Sequence, residues 1–432
     1  MANPVIRRRS FLKGAAGTAT LFAAARAALP AGAFAQGAGP ETRKAVLGYI
    51  ALTDSSPLII AKEKGLFAKY GMPDVEVAKQ ASWGTTRDNL VLGSAGGGID
   101  GAHILTPMPY LMSAGRITQN NQPLPMNILA RLNLDGQAIS VAKNWQATGA
   151  RLDAAPLKDA FAKAVAAGKE IKVAMTFRGG THDLWIRYWL AAGGIDPDKD
   201  VQTIVVPPPQ MVANMKVGTM DCFCVGEPWN AQLVNQGIGY TAASTGEIWA
   251  KHPEKSFAMR ADWIDQNPKA ALALTMAVQE AQMWCDTPAN TKEMCEIVGK
   301  RAWFNVPVAD IVGRSSGDIN YGDGREVKNS PLVMKFWRDQ ASYPFQSHEL
   351  WFLTENIRWG ILPPDFDAAG LIARVNREDI WRSAAKAIGG AAAADLPATT
   401  SRGPETFFDG KVFDPANPKA YLDSLAIKRA IA

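Results

Sequence analysis

A strand, a two-glycine turn and a helix follow one another in residues 172–190, KVAMTFRGGTHDLWIRYWL. Residues 172–177 alternate and are rich in β-forming side chains, so they predict a strand that the Gly-Gly pair ends. Thr181 and Asp183 stand where a helix N-cap belongs, and the apolar residues that follow recur at helical spacing. The first amides of such a helix lack internal partners and point outwards, and the glycines let the backbone come close. The stretch therefore predicts a site for a small anion.

His182 lies in the first turn of this predicted helix, where a ring N–H can donate to an anion. A simpler interpretation also fits the pattern, in which Gly-Gly-Thr only turns and caps the chain and His182 lies on the surface. The choice depends on whether a second half-site occurs elsewhere in the chain.

The first 35 residues have the pattern of a twin-arginine signal peptide. Residues 7–13 read RRRSFLK, an apolar stretch rich in Ala and Gly follows, and Ala33-Phe34-Ala35 forms a small-x-small cleavage site. An uncleaved membrane anchor fits less well, because residues 14–29 are short, mildly apolar and interrupted by Arg26. We therefore expect a mature protein that starts near Gln36 and is soluble in the periplasm, without a lipid anchor.

The signal peptide also changes the charge of the mature chain. The 432 residues include 46 Lys and Arg against 41 Asp and Glu, and five of the basic residues lie in the first 35 positions. The mature chain is therefore formally neutral, which removes the reason to expect nucleic-acid binding. The length suits two or three domains, and 47% hydrophobic with 20% charged residues is typical of globular proteins.

Cysteine and histidine placement argues against a metal site and against an enzyme. Cys222 and Cys224 lie two apart in a strand-like run and predict buried small hydrophobic residues. Cys285 and Cys295 flank a helix–loop–helix corner, which leaves a disulfide open as an alternative in an oxidising compartment. The four histidines are far apart, and the chain has neither a serine elbow nor a Cys-His-Asn set. We expect a binding protein without a cofactor or a metal.

Strands and helices alternate along the chain with short connections, which predicts mostly parallel α/β sheets. The predicted strands are 44–50, 75–79, 102–105, 126–132, 137–142, 172–177, 203–206, 220–225 and 256–259. The predicted helices include one from Pro57 and those at 108–115, 157–167, 210–217 and 268–285.

Two such α/β blocks, joined near residues 138 and 255, predict a periplasmic-binding-protein fold: two-lobed, C-shaped, hinged and type II-like. The predicted lobe I comprises residues 44–138 and 258–390, lobe II comprises residues 139–257, and residues 391–432 form a C-terminal extension on the surface. In open α/β sheets the ligand lies outside the carboxyl ends of the strands, and here that is the cleft that the hinge closes.

Several long motifs occur in order between residues 44 and 390. They are GYIALTDSSPLIIAKEKGLFAKYG, VAKQASWGTTRDNLVLGSAGGGIDGAHILTPMPY, ILARLNLDGQAISVAKNW, TFRGGTHDLWIRYWLAAGGIDPD, VGEPWNAQ, and HPEK followed by MRADWIDQNPKA. Together they resemble the nitrate and bicarbonate binding proteins of ABC transporters, the NrtA/CmpA family. The resemblance implies a monomer that captures a small oxyanion between two lobes. It then delivers the anion to an inner-membrane ABC permease with a cytoplasmic ATPase.

The nitrate-binding positions of that family correspond to five residues here: Trp83 (ASWG), Gln137 (DGQAIS), His182 (GGTHD), Gly226 (VGEPW) and Lys255 (HPEK). Their chemistry suits nitrate, a planar monoanion with weak acceptors that needs several donors, one cation and a flat wall. An amide, a ring N–H, a backbone amide, an ammonium and an indole supply these.

Lys255 also bears on the choice of ligand. Bicarbonate-binding members of the family have a carboxylate at this position and hold the anion with calcium, whereas a lysine needs no metal. The resemblance therefore favours nitrate or nitrite. Glu227 and Glu254 adjoin site positions, so calcium-assisted bicarbonate binding stays an alternative, as does another small anion or an organic ligand.

Each site residue also has a plainer interpretation. Trp83 could be a core residue and Lys255 a solvated surface lysine, in which case Lys251 or Arg87 would supply the cation. His252 is interpreted as a turn residue. A cytoplasmic nitrate sensor of the same fold would lack the signal peptide.

Overall fold

A computed structural model describes residues 39–394 and 396–429 of the chain. The twin-arginine motif and its cleavage site lie outside these residues, so their assignment stays a prediction. Within the described ranges, none of the helices combines the length and the apolar character needed to cross a membrane.

The strands lie close to their predicted positions. In chain order they are β1 Val46–Tyr49, β2 Glu76–Lys79, β3 Gly101–Leu105, β4 Met126–Arg131, β5 Gln137–Ala142, β6 Lys172–Met175, β7 Gln202–Val205, β8 Cys222–Gly226, β9 Gly239–Ser244, β10 Lys255–Arg260, β11 Ile319–Asn320, β12 Glu326–Val327, β13 Glu405–Thr406 and β14 Val412–Phe413.

The helices cover both faces of the sheets. They are α1 Ser56–Glu63, α2 Leu66–Lys69, α3 Trp83–Leu92, α4 Pro107–Ser113, α5 Ala155–Ala166, α6 Thr181–Ala192, α7 Met211–Lys216, α8 Trp229–Asn235, α9 Thr245–Ile248, α10 Ala261–Gln266, α11 Pro268–Cys285, α12 Thr291–Gly299, α13 Ala309–Ser315, α14 Gln346–Arg358, α15 Ala368–Val375, α16 Glu378–Ile388, α17 Gly390–Ala394 and α18 Pro418–Ser424. Helix α11 has the predicted bounds, and Pro57 lies in the first turn of α1 as predicted.

Two five-stranded sheets form the body of the protein, with strand orders β2-β1-β3-β10-β4 and β7-β6-β8-β5-β9. In the first sheet β1 is parallel to β2 and β3, while β10 is antiparallel to β3 and β4. In the second sheet β6 is parallel to β7 and β8, while β5 is antiparallel to β8 and β9. Four strands of each sheet therefore run one way, which confirms the mostly parallel prediction.

The antiparallel strand of each sheet is the one that arrives from the other sheet. Strand β5 follows β4 of the first sheet in the chain but pairs in the second, and β10 follows β9 of the second sheet but pairs in the first. Gln137 is the first residue of β5 and Lys255 is the first residue of β10. The two chain crossings therefore bring these side chains together between the sheets. The bounds of the lobes stay a prediction, because each lobe is a part of the protein that moves as one body when the hinge closes.

Two local features differ from the prediction. The proposed N-cap role of Thr181 and Asp183 is wrong, because α6 begins at Thr181 after Gly180, and no side chain caps it. Asp183 Oδ2 instead accepts a hydrogen bond from the Gly179 amide at 2.8 Å, so it fixes the glycine turn. Strand β9 and the two-residue strands β11 to β14 were not predicted; β9 reads GYTAAS, in which only Tyr240 and Thr241 favour a strand.

Aromatic side chains attach the C-terminal segment to the body. Phe407 is buried and packs on Trp351 and Tyr188, with ring centroids 5.4 and 5.0 Å apart. Buried Tyr421 donates a hydrogen bond to Glu355 at 2.7 Å. The C-terminal segment was predicted to lie on the surface, and these buried contacts also anchor it to the body of the protein.

All four cysteines are free and buried in the structure, so Cys285 and Cys295 form no disulfide there. Burial raises the pKa of the Cys222, Cys224 and Cys285 thiols well above the ordinary value, which keeps them protonated. The expectation of buried, unpaired Cys222 and Cys224 is confirmed.

Candidate functional site

Four of the five residues selected from the sequence touch one another between the sheets. His182 Nε2 lies 2.7 Å from Gln137 Oε1, and Lys255 Nζ lies 3.4 Å from each of these two atoms. Gly226 pairs with Gln137 across β8 and β5, and a Cβ added to Gly226 would lie 2.6 Å from Gln137 Oε1. Only glycine fits at that position without displacing the amide.

Trp83, the fifth residue, joins the group through His103. The two rings lie 5.3 Å apart, and His103 Nε2 lies 2.6 Å from Asp54, which in turn contacts Lys255. The Trp83 indole nitrogen is buried and has no hydrogen-bond partner among the residues that the structure describes. A buried N–H without a hydrogen bond costs about 1–3 kcal/mol, and a ligand oxygen that accepts from it would recover that free energy.

Burial contradicts the surface interpretations of His182 and Lys255, and it agrees with the alternative that Trp83 is a core residue. Trp83, His182 and Lys255 are 0% exposed and Gln137 is 1% exposed. A buried ammonium must be compensated by its neighbours, because an isolated charge in the interior is costly. Its partners therefore decide what Lys255 can bind.

Two carboxylates hold the Lys255 ammonium in this state. Lys255 Nζ lies 2.9 Å from Asp54 Oδ2 and 2.8 Å from Glu254 Oε1, and all three side chains are 0% exposed. Burial by itself would lower the pKa of Lys255, but the two carboxylates raise it above its ordinary value. Lys255 therefore stays charged.

Asp54 is the functional neighbour that sequence reasoning missed. It lies in the 3-10 turn Thr53–Ser55 directly after β1, where it accepts from Gln137 Nε2 at 3.0 Å. Burial would raise its pKa, yet Lys255 and His103 hold the pKa well below its ordinary value. A carboxylate at the end of a parallel strand was the available signal.

Glu254 accepts hydrogen bonds from the first turns of α6. Thr181 donates to Glu254 Oε1, and Trp185 Nε1 donates to Oε2 at 2.7 Å. Burial raises the pKa of Glu254, while Lys255 acts in the opposite direction. The sequence placed Glu254 beside the site but did not predict that it pairs with Lys255.

The alternative side chains lie elsewhere. Lys251 is partly exposed and pairs with Asp339 at 3.2 Å, and Arg87 pairs with Asp88 at 2.8 Å. The interpretation of His252 as a turn residue is wrong, since its ring is fully buried and its Nε2 lies 2.7 Å from Thr245 Oγ1.

A cleft of about 660 Å³ opens beside this group of residues. It borders Ser82, which precedes Trp83, and Thr176, whose hydroxyl lies 2.5 Å from His182 Nδ1. Three arginines line the cleft, and its described lining residues include no Asp or Glu; the arginines are Arg87, Arg116 and Arg178. The mouth is therefore electropositive.

Metal coordination has little support in this geometry. In residues 39–394 and 396–429, no group of three or more His, Cys, Asp or Glu side chains is placed to hold a metal ion. The carboxylates of Asp54 and Glu254 are instead engaged by an ammonium and by N–H and O–H donors.

Comparisons with known proteins agree with the architecture. Residues 38–299 match the model of the NMT1-like family. The nitrate/nitrite binding protein NrtA of Synechocystis sp. (strain PCC 6803) is 63% identical over 390 residues, which cover 90% of this chain and 86% of that protein. This chain belongs to the NrtA/CmpA family. The resemblance seen in the motifs is thereby confirmed.

A second family member and a solved structure extend the comparison. The bicarbonate-binding protein CmpA of Synechococcus elongatus is 48% identical over 399 residues, which cover 90% of this chain and 88% of that protein. The crystal structure of the periplasmic nitrate-binding protein NrtA from Synechocystis PCC 6803 is 62% identical, with a TM-score of 0.88; the match covers 90% of this chain and all of that one. The predicted periplasmic-binding-protein fold is confirmed. That Trp83, Gln137, His182, Gly226 and Lys255 bind a ligand stays a prediction.

Proposed function

We propose that this chain is the substrate-binding protein of an ABC importer and that it captures nitrate or nitrite between its two sheets. The observation that carries the proposal is the Lys255 ammonium, fully buried within 3.4 Å of Gln137 Oε1 and His182 Nε2. A permanent cation among N–H donors suits a metal-free monoanion.

Each of the five residues has a role in this proposal. Lys255 supplies the charge, while the Gln137 amide, the His182 ring and the Gly226 backbone direct hydrogen bonds at the oxygens. The Trp83 ring offers a flat wall and an N–H without a partner. A planar trigonal oxyanion can use all of these donors, whereas a neutral solute would not use the charge of the ammonium.

Transport follows from the family. We infer that the twin-arginine pathway exports the mature protein to the periplasm as a monomer, and that it delivers its anion to an inner-membrane permease with a cytoplasmic ATPase. The proposed lobes, 44–138 with 258–390 and 139–257, close over the anion because it contacts residues from both sheets. Residues 391–432 are then an extension, whose described part is fixed to the body by Phe407 and Tyr421. We assign no catalytic residue.

Bicarbonate with calcium is the second candidate, favoured by the 48% identity to CmpA and by two buried carboxylates next to Lys255. Isothermal titration of the mature protein with nitrate, nitrite and bicarbonate, each with and without calcium, separates the candidates. We expect nitrate to bind equally well with and without calcium. Binding of bicarbonate only, and only with calcium, would replace the proposal.

A further inference from the structure

Six ionisable side chains face one another in the buried space around the candidate site. Each is 0% exposed, and they come from strands β3 and β10, helix α6, a 3-10 turn and the loop before β10; they are Asp54, His103, His182, His252, Glu254 and Lys255. Asp135 and Lys335 lie beyond them and neutralise each other at 2.8 Å. No other described Asp, Glu, Lys or Arg makes a hydrogen bond or ion pair with His182.

This group carries an excess of negative charge before any ligand binds. Burial lowers the pKa of His103 and of His182, and it lowers that of His252 to about 4, so their rings are neutral at pH 7. Two carboxylates then face one ammonium. A bound monoanion would add a second uncompensated negative charge in a buried space, which is unfavourable.

A proton that enters with the anion removes this excess. We propose that the site binds a proton together with its anion and that His182 accepts the proton. The inference rests on the proposed function, because it concerns the same five residues.

His182 has the geometry to carry a second ring proton without losing a hydrogen bond. Its Nε2 lies 2.7 Å from Gln137 Oε1, and its Nδ1 lies 2.5 Å from Thr176 Oγ1. Both oxygens can accept, so an imidazolium would keep both partners as acceptors. Burial and the Lys255 ammonium, whose Nζ lies 3.4 Å from Nε2, oppose a charge on the ring, and an anion bound next to both groups would offset these effects.

The other candidate acceptors fit less well. Protonation of Glu254 or Asp54 would weaken bonds to Lys255, and Glu254 would also lose acceptor strength towards Thr181 and Trp185. His252 bonds to Thr245 and to a backbone carbonyl, and its Nδ1 lies 3.7 Å from Glu254 Oε2. Among the four histidines, only His182 forms a hydrogen bond with a predicted ligand residue.

Proton uptake makes affinity depend on pH with a definite sign. The pKa of His182 lies well below its ordinary value in the empty site, and a bound anion raises it. Between the two pKa values the complex holds more protons than the free protein. Affinity therefore falls as pH rises, by up to about tenfold per pH unit for one proton.

Titration calorimetry measures the proton directly. Sodium nitrate is titrated into the mature protein at several pH values between about 6 and 7.5 in phosphate and in Bis-Tris, which both buffer there and whose ionisation enthalpies differ strongly. We expect the apparent binding enthalpy to differ between the two buffers, because each buffer releases the proton that the protein takes up. At the lowest pH the difference should correspond to nearly one proton per bound nitrate. Equal enthalpies at every pH, with normal nitrate affinity, would overturn the proton proposal and leave the proposed function standing. Absence of nitrate binding would overturn both.

The chain has four histidines, which allows a complete set of matched variants. His182→Gln keeps an N–H donor but takes no proton, so we expect weaker binding with no buffer dependence. His103→Gln, His252→Gln and His348→Gln should retain the uptake. Uptake that persists in His182→Gln would overturn the assignment to His182.

A ring-specific measurement covers the case in which His182→Gln binds too weakly to titrate. Nitrogen NMR of wild-type protein with labelled histidine follows each ring with pH, and the His182→Gln spectrum assigns the signal. Saturating nitrate should raise the pKa of His182, and the pKa of every other histidine should change much less. An unchanged His182 pKa in the nitrate complex would overturn the proposal.

Discussion

The Lys255 ammonium lies 2.9 Å from Asp54 Oδ2, and Gln137 Nε2 lies 3.0 Å from the same oxygen. Asp54 is thus a planar carboxylate that already uses two of the donors predicted for nitrate. Its side chain comes from the turn after β1, whereas its partners begin β5 and β10. The resident carboxylate and the incoming anion share one set of donors, so Asp54 influences both stability and affinity.

Replacing Asp54 with Asn should destabilise the empty protein. Removal of one partner from a buried ion pair costs about 3–5 kcal/mol, and Glu254 remains to compensate Lys255, so we expect the lower end of that range in urea unfolding. Nitrate should restore more stability to this variant than to the wild type. Asp88→Asn, whose carboxylate pairs with Arg87 at the surface, is the matched control and should stay within about 1 kcal/mol. Equal stability of the two variants would contradict the pairing of Asp54 and Lys255.

Stability should fall as the solution becomes acidic below about pH 6.5, the ordinary pKa of histidine. The pKa of His252 is lowered to about 4 by burial, so the unfolded chain takes up a proton over an interval in which the folded protein does not. His252 therefore contributes fully to the free energy of unfolding above about pH 6.5. This contribution is lost as pH falls from about 6.5 towards 4, by up to about 1.4 kcal/mol per pH unit.

His252→Gln tests this contribution, because it retains an amide donor and cannot titrate. The dependence of the unfolding free energy on pH between 6 and 4.5 should become shallower by about 1.4 kcal/mol per pH unit in the variant. Urea unfolding at a series of pH values measures it. A slope equal to that of the wild type would assign the acid sensitivity to other groups.

The arginines of the cleft should speed nitrate association. Arg116 and Arg178 are exposed, and the cleft that they line borders Ser82 and Thr176 next to the candidate site. Electrostatic steering raises association rates by about tenfold or more, so the double change to Gln should lower kon by roughly threefold to tenfold at low ionic strength. The dissociation rate should change little.

Stopped-flow tryptophan fluorescence at two salt concentrations measures this effect. Salt screens exposed charges, so the difference between variant and wild type should shrink at high ionic strength. Arg301→Gln, an exposed arginine outside the lining of the cleft, is the control and should associate like the wild type. An unchanged kon in the double variant would show that the anion reaches the site by another route.

Local patterns and long motifs predicted most of the fold. Strand β5 and helix α11 have the predicted bounds. Strand β9 was missed because its sequence, GYTAAS, is mostly Gly, Ala and Ser, which do not favour a strand. The N-cap role predicted for Thr181 and Asp183 was wrong. Asp183 accepts a hydrogen bond from the Gly179 amide instead, and this contact depends on the three-dimensional shape of the turn.

The candidate site was predicted in part. The motifs identified Gln137, His182 and Lys255, and the structure brings them within 3.4 Å of one another. The pairing of Lys255 with Asp54 could not be read from the sequence, because 200 positions separate the two residues and only the sheet crossings join them. Charge balance at the site is therefore a property of the folded chain.

The proposed function depends on an anion that binds beside the Lys255 ammonium. Lys255→Glu places a third carboxylate in a buried space that already holds Asp54 and Glu254, so nitrate binding should be abolished. Lys255→Gln removes one charge-assisted hydrogen bond and should weaken binding by about 2–3 kcal/mol. Lys251→Gln, four residues earlier and partly exposed, is the matched control and should bind normally.

Isothermal titration of nitrate into these three variants, each first shown to be folded by its thermal melt, is the most direct measurement. The account predicts no detectable binding by Lys255→Glu, weakened binding by Lys255→Gln and wild-type binding by Lys251→Gln. Wild-type nitrate affinity in Lys255→Glu would contradict it.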